Sequence, residues 1–515
     1  MKTRTQQAWY NSVSTIGIFS LRFIFQFINR MIFLRFLGVY YLGLNGIFTS
    51  ILGMLSLAEL GIGTSIIYAL YKPIAENRQG KIAAYMQLYR KIYRLIAFVI
   101  FLLGLLVLPF LPTILQETGL TGELISIYLL FLLNSVIGYL LFSYKRSLLV
   151  AYQENYVISW IDFGIFILSS IAQWLVLWGT QNYLLVLVMI VLATIVSNLF
   201  VAQVVDKRHP LGNAKIEGLT SAEKSSLKKN VIGNLAGNIA GVIVFSTDNI
   251  LMSSFISVTA VGLYSNYTII TKNLDSLLLQ LMSSQNASVG NLVHSADSDK
   301  VYQIFKRYNF LNFVLAFLLS LLVNALIQPF LRIWLGEEYL LSSWTVMLLS
   351  IYMFIQMYRY AGFIFYNAYG LYWESRYKPI AEAILNLVFS LLFLIVFKWG
   401  IEGILLGTIC STLLTNTWFE PYIIFKYGLK RSIREYLWIN IKQWGLFLVS
   451  LTVIFGLKDS LLMSSTFWSW FALAALLTIA LLFLLIATFF KTPEFRWWWK
   501  FLTAKIVSIV RLVSR

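Results

Sequence analysis

The chain has 515 residues, of which 59% are hydrophobic and 12% charged, where soluble domains carry roughly 25% charged residues. So much apolar surface excludes a soluble globular protein, and continuous apolar runs such as 96–111 and 184–200 exclude a β-barrel, whose strands alternate over segments of about ten residues. A net charge of +18 would suggest nucleic acid in a soluble protein; in a membrane protein it reads as the positive-inside bias and attraction to anionic headgroups, so no nucleic-acid partner is expected.

The expected class is an all-α polytopic membrane protein of fourteen transmembrane helices. Spans are predicted at 12–36, 41–69, 92–111, 124–143, 157–178, 183–205, 231–256, 261–288, 310–330, 342–369, 379–397, 402–425, 441–457 and 466–490. Several exceed the ~20 residues that a bilayer needs, so tilt is expected. Lys2 and Arg4 precede a first span with no small-residue cleavage site, so this helix is expected to stay. With the amino terminus inside, the inner segments hold 32 of the 40 Lys and Arg residues, and the outer loops only Arg332, Lys398 and Lys458. That asymmetry predicts both termini in the cytoplasm.

On the first span, Asn11, Thr15, Arg22, Gln26, Asn29 and Arg30 share one side at 100° per residue, with Arg22 near mid-span. The linker 206–229 is polar and basic, and Thr220 followed by Glu223 predicts a capping box that starts a short helix. The seventh span repeats the polar stripe with Asn230, Asn234, Asn238, Asp248 and Asn249. Lys272 in span eight and Arg359 in span ten also sit deep. From Pro493 the tail combines Trp497, Trp498 and Trp499 with alternating Lys and Arg, the pattern of a helix lying on the inner membrane surface.

The halves repeat. YLGLNGIFTSI (41–51) aligns with AVGLYSNYTII (260–270) at an offset of 219, pairing Gly43 with Gly262 and Asn29 with Asp248; FLLGLLV (101–107) meets FLLSLLV (317–323) at 216. The repeated unit is six spans, so both copies keep one membrane orientation, which predicts parallel lobes with a substrate site near the midplane between them. The expected organisation is an N-lobe at 1–205, the linker 206–229, a C-lobe at 230–426, two extra spans within 427–490 and a cytoplasmic amphipathic tail at 491–515.

An Arg or Lys at mid-bilayer costs roughly 2.5–3.5 kcal/mol, so Arg22, Lys272 and Arg359 together would cost on the order of 8–10 kcal/mol. Either an anionic ligand or internal pairing must offset this. Glu59, Asp162, Asp248, Asp275 and Glu382 are acids within helices, and Lys272 with Asp275 could pair on one helix face; the helix of Arg22 offers no acid. The substrate-binding candidates are Arg22, Arg30, Lys272 and Arg359 with Asn29 and Asn249. Asp248 and Glu59 are candidates for ion coupling or, equally, neutral hydrogen-bonded helix glue. His209, His294 and Asp297-Ser-Asp299 read as solvated loop residues, Cys410 excludes an intrachain disulfide, and no phosphate-binding G-x-x-x-x-G-K-[ST] loop is present. No catalytic residue, metal or cofactor is assigned.

The stretch 36–76, FLGVYYLGLNGIFTSILGMLSLAELGIGTSIIYALYKPIAE, resembles the bacterial polysaccharide-transport flippases that export O-antigen, capsule and exopolysaccharide repeat units. The YLGL, SLAELGIG and YKPIAE runs carry the resemblance. That family's superfamily also holds multidrug extruders and lipid II flippases. The resemblance implies two six-helix lobes, alternating access, a location in the bacterial inner membrane and an undecaprenyl-pyrophosphate-linked oligosaccharide as substrate. It also implies glycosyltransferases and a polysaccharide polymerase as functional partners, and maps cavity arginines onto Arg22, Arg30 and Arg359 by position in the spans. A cation-coupled multidrug extruder and a lipid II flippase are the alternatives. A polymerase or glycosyltransferase is the further one, disfavoured by outer loops of about a dozen residues that leave little room for catalytic groups.

Overall fold

The computed structural model describes the backbone of residues 4–59, 61–211, 216–458 and 466–513, and their side chains apart from 4–16, 58, 233–245, 287 and 505–513. Asn11, Thr15, Asn234 and Asn238 of the expected stripes lie outside these side chains. The structure is helical, with no strand among the described residues. Among the described residues, ten helices are long and apolar enough to cross a membrane. The other expected spans fall on Ser221–Phe255, Val258–Ser283 and Gly400–Ile423, with one more on an interrupted helix after residue 38, which is compatible with fourteen crossings. The chain forms two compact units, 1–262 and 263–515.

The first unit begins with α1 (Arg4–Leu55), which carries two expected spans. Their boundary is Gly38, whose φ of 80° is open to glycine without a Cβ penalty. A 3-10 turn (Ser56–Glu59) and Gly61 then break the second span before α2 (Ile62–Ala75). There follow α3 (Gln79–Val107), α4 (Leu111–Leu115), α5 (Gly122–Leu140), α6 (Arg146–Ala151), α7 (Asn155–Thr180), α8 (Tyr183–Arg208) and α9 (Ser221–Phe255). Helix α1 packs on α7 and α9, and α8 on α5 and α7. Asp162 is satisfied internally: Arg146 grips it bidentately at 2.8 and 3.0 Å, and Ser197 donates to it at 2.6 Å. The capping box at Thr220 forms, but the helix it starts is not the short one expected: α9 runs 35 residues without a break through the seventh span. Its Glu223 also accepts from buried Lys81 at 2.8 Å; that donor and the Thr220 N–H hold the carboxyl down to about 2.

The repeat motif makes a close contact. A Cβ on Gly43 would overlap the backbone of Val258, and one on Gly262 would overlap the backbone of Val39. Val39 and Val258 are themselves 219 apart, the offset of the two glycines. Equivalent residues thus meet reciprocally, as in a two-fold contact, at small residues that let helix backbones approach. All four belong to the first unit.

The second unit follows from α10 (Val258–Ser283), whose first turn lies in the first unit, through α11 (Asn286–Ser295), α12 (Ser298–Trp334), α13 (Ser343–Tyr358), α14 (Tyr360–Tyr369), α15 (Lys378–Leu391), α16 (Gly400–Ile423), α17 (Arg434–Gly456) and α18 (Phe467–Phe489) to α19 (Pro493–Val513). Its core is aromatic. Helix α12 buries Phe305, Phe313 and Phe317, and Phe354 stacks on Phe447 at 3.8 Å. The expected tenth span breaks between α13 and α14, at Arg359. Buried Asn312 donates to the carbonyls of Met357 and Tyr358 there, at 2.9 and 2.7 Å, supplying the partners that a helix end leaves wanting.

Candidate functional site

In the first unit, Arg22 meets α7 through an aromatic face. Its guanidinium carbon lies 5.3 Å from the Phe166 ring centroid. Its Nε is buried with no hydrogen-bond partner, and among the described residues no carboxylate pairs with it. A cation–π contact contributes about 0.5–2 kcal/mol, less than the roughly 2.5–3.5 kcal/mol of a mid-bilayer guanidinium. The side chain therefore keeps unspent donor capacity.

Farther along the same seam, Phe25 stacks on Trp174 at 6.0 Å. Asn29 donates to Ser170 at 3.0 Å and accepts from Trp174 Nε1 at 2.7 Å. Both ends of the Asn29 amide thus hold α1 to α7. Asn249 donates to Ser50 at 2.9 Å, tying α9 to α1. Arg30, Asp248 and Lys272 each take part in interactions of their own.

Glu59 sits where the broken second span exposes a turn. Its two oxygens accept from Tyr93 at 2.6 Å and Tyr139 at 2.5 Å, and Tyr89 donates to Tyr93 at 2.7 Å. Among the described residues no cation forms an ion pair with it. A carboxyl held by neutral O–H donors can accept a proton without breaking a salt bridge.

In the second unit, Arg359 is paired. It grips Glu420 through Nε at 2.9 Å and Nη2 at 2.7 Å, and Nη1 donates to Gln356 at 2.7 Å. Lys378, at the start of α15, shares the same carboxylate. Glu420 is buried, and Arg359 and Lys378 retain 19% and 15% side-chain exposure. Two cations share this carboxylate, and the Glu382 and Asp275 carboxylates also act on Arg359 electrostatically. Nearby, Tyr360 donates to Asp275 at 2.6 Å, and Asn416 donates to Glu382.

Sequence reasoning placed Arg359 but missed Glu420, the acid 61 residues away that neutralises it, and assigned Lys378 to a loop. A signal was present. The hexapeptide YKPIAE at 71–76 recurs unchanged at 377–382. In the first copy Lys72 faces Glu76 on the surface at 3.9 Å; in the second, Lys378 and Glu382 turn to α16 instead.

No family model and no characterised sequence matches the chain. Solved structures share its fold. An inward-facing multidrug-resistance MATE transporter of the MOP superfamily aligns with a TM-score of 0.62 at 12% identity, over 79% of this chain and 94% of the other. The lipid II flippase MurJ, in an inward closed conformation, aligns at 0.60 and 14% identity, over 93% and 99%. A MOP superfamily transporter from Pyrococcus furiosus, described as having a binding pocket of reversed polarity, aligns at 0.51 and 12% identity, over 83% and 96%. These neighbours are transporters and flippases, and the chain is a multi-pass membrane protein with their fold.

Proposed function

We propose that this chain is a flippase that carries an undecaprenyl-pyrophosphate-linked oligosaccharide from the inner to the outer leaflet of a bacterial inner membrane by alternating access, for polysaccharide assembly. The observation that carries this reading is Arg22, a guanidinium deep in a span with an orphaned Nε and, among the described residues, no carboxylate partner. Such a group suits an anionic cargo, because guanidinium donors match phosphate oxygens bidentately. Moving an anion out of a negative interior is favoured by about 2.3 kcal/mol per charge per 100 mV.

Arg22 variants test the reading. Arg22→Ala and Arg22→Gln are expected to insert at normal levels yet lose export, with lipid-linked repeat units accumulating on the inner leaflet. Arg22→Lys should keep part of the activity, since it keeps the charge and loses the fork. Undiminished export by Arg22→Ala at wild-type protein level sinks the anion-site reading. Protein loss matching the export loss assigns Arg22 a structural role instead.

One observation favours a coupled carrier, as in a cation-coupled extruder: the Glu59 carboxyl between Tyr93 and Tyr139. If it couples proton flow to transport, Glu59→Gln keeps the tyrosine contacts, removes the titrating group and makes transport in proteoliposomes insensitive to a pH gradient. An unchanged gradient response leaves Glu59 as helix glue.

A further inference from the structure

The last membrane-crossing helix, α18, ends at Phe489, and three residues later α19 starts at Pro493. Between them lies a groove whose walls are Ile486, Phe490, Phe495 and Trp499, with Arg496 and Lys500 at its polar edge. Phe490 and Trp499 are 48% and 55% exposed, so half of each large apolar side chain awaits a cover. Trp499 stacks on Phe495 at 5.9 Å, which makes a rigid wall.

The two cations stand four residues apart and so share one face of α19. The Arg496 Nε contacts the Phe490 carbonyl at 3.4 Å, which holds the guanidinium over the turn. Among the described residues neither cation has an acidic partner. The one acid nearby, Glu494, lies toward Lys306 at 3.8 Å. A greasy cleft with two cations at its rim, at the end of an expected membrane-crossing helix and among three consecutive tryptophans, has the composition of the headgroup region, where Trp collects. Its complement is amphipathic and negative.

We propose that this groove is a binding site for one acidic phospholipid, with the phosphate on Arg496 and Lys500 and an acyl chain along Ile486, Phe490 and Trp499. By the charge asymmetry of the chain, the lipid comes from the inner leaflet. The site is separate from the cargo reading and uses none of its residues.

The test uses the full chain in detergent, titrated with dioleoylphosphatidylglycerol, and native mass spectrometry to count retained lipid. The wild type is expected to retain one phosphatidylglycerol and no dioleoylphosphatidylcholine. At about one kcal/mol per basic residue near an anionic surface, R496Q/K500Q should bind on the order of thirty-fold more weakly. Trp499→Ala, which leaves both cations in place, should weaken retention by loss of the apolar wall. Inorganic phosphate in excess should not displace the lipid. Equal phosphatidylglycerol retention by wild type and R496Q/K500Q, equal retention of phosphatidylcholine, or displacement by phosphate alone would each overturn the proposal.

Discussion

Two deep cations of this chain stand in different physical situations. Arg359 is a half-buried member of an ion pair with buried Glu420, and Arg22 has only a ring among the described residues. A buried pair gains little over apolar packing but is costly to break, about 3–5 kcal/mol, because the surviving partner stays charged and unmatched. Here one carboxylate answers for two cations, so Glu420→Gln should destabilise the second unit by at least that range. The expected readout is a large drop in thermal stability of the detergent-solubilised protein. Combining it with Arg359→Gln should recover part of the loss, since one cation and no longer two is then left without Glu420. A double variant as unstable as the sum of the singles would show that the two residues do not act as a pair. The contrast also marks what the sequence makes legible. That α1 carries no acid near Arg22 can be read along one helix. That Glu420 reaches Arg359 depends on α16 packing against α13 and α14, a tertiary fact that no local spacing encodes.

At the scale of elements, the apolar runs located the spans well because a bilayer sets their length directly. The interruptions were harder. One predicted helix from 41 to 69 is in fact the end of α1, a 3-10 turn and α2, and the tenth span divides at Arg359. Neither break follows from hydropathy, since both lie inside apolar sequence; each needs a neighbouring helix to satisfy the freed backbone, as Asn312 does for α13. The two aligned glycines, Gly43 and Gly262, by contrast, both sit at a close helix contact. Any Cβ there meets backbone rather than a pliable side chain. Gly43→Ala and Gly262→Ala should therefore each destabilise by about 1–3 kcal/mol, the usual cost of overpacking, seen as a lower melting temperature in detergent. Gly138→Ala, at a site with nothing within 4 Å, is the control and should be neutral or slightly stabilising, since Ala is the better helix former. An equal loss at Gly138 would mean that a general helix effect, rather than the reciprocal contact, governs all three.

At the scale of the whole molecule, charge asymmetry carries the orientation. Thirty-two of forty basic residues fall in alternate loops, and three in the others. An error of one span in mid-chain would reverse every later loop and mix the two classes, so the segregation itself argues for the map. The structure supplies suitable probe positions. Gly119 and Gly336 lie in the short connections before α5 and after α12, and Gly80 and Ser298 lie in the first turns of α3 and α12. Single cysteines at these four positions, in a chain with Cys410→Ser, should divide by side in intact cells. Those at 119 and 336 should react with a membrane-impermeant maleimide, and those at 80 and 298 only after the membrane is opened. The pairs test both halves separately: Gly80 and Gly119 flank one apolar segment of the first unit, and Ser298 and Gly336 flank one of the second. Labelling of position 80 or 298 from outside would invert the orientation of that unit, and with it the direction in which an anionic cargo is helped by the membrane potential. Correct labelling in the first unit with reversal in the second would mean that an even number of crossings, in place of the map's five, separates positions 119 and 298, and the parallel repeat would fall with it.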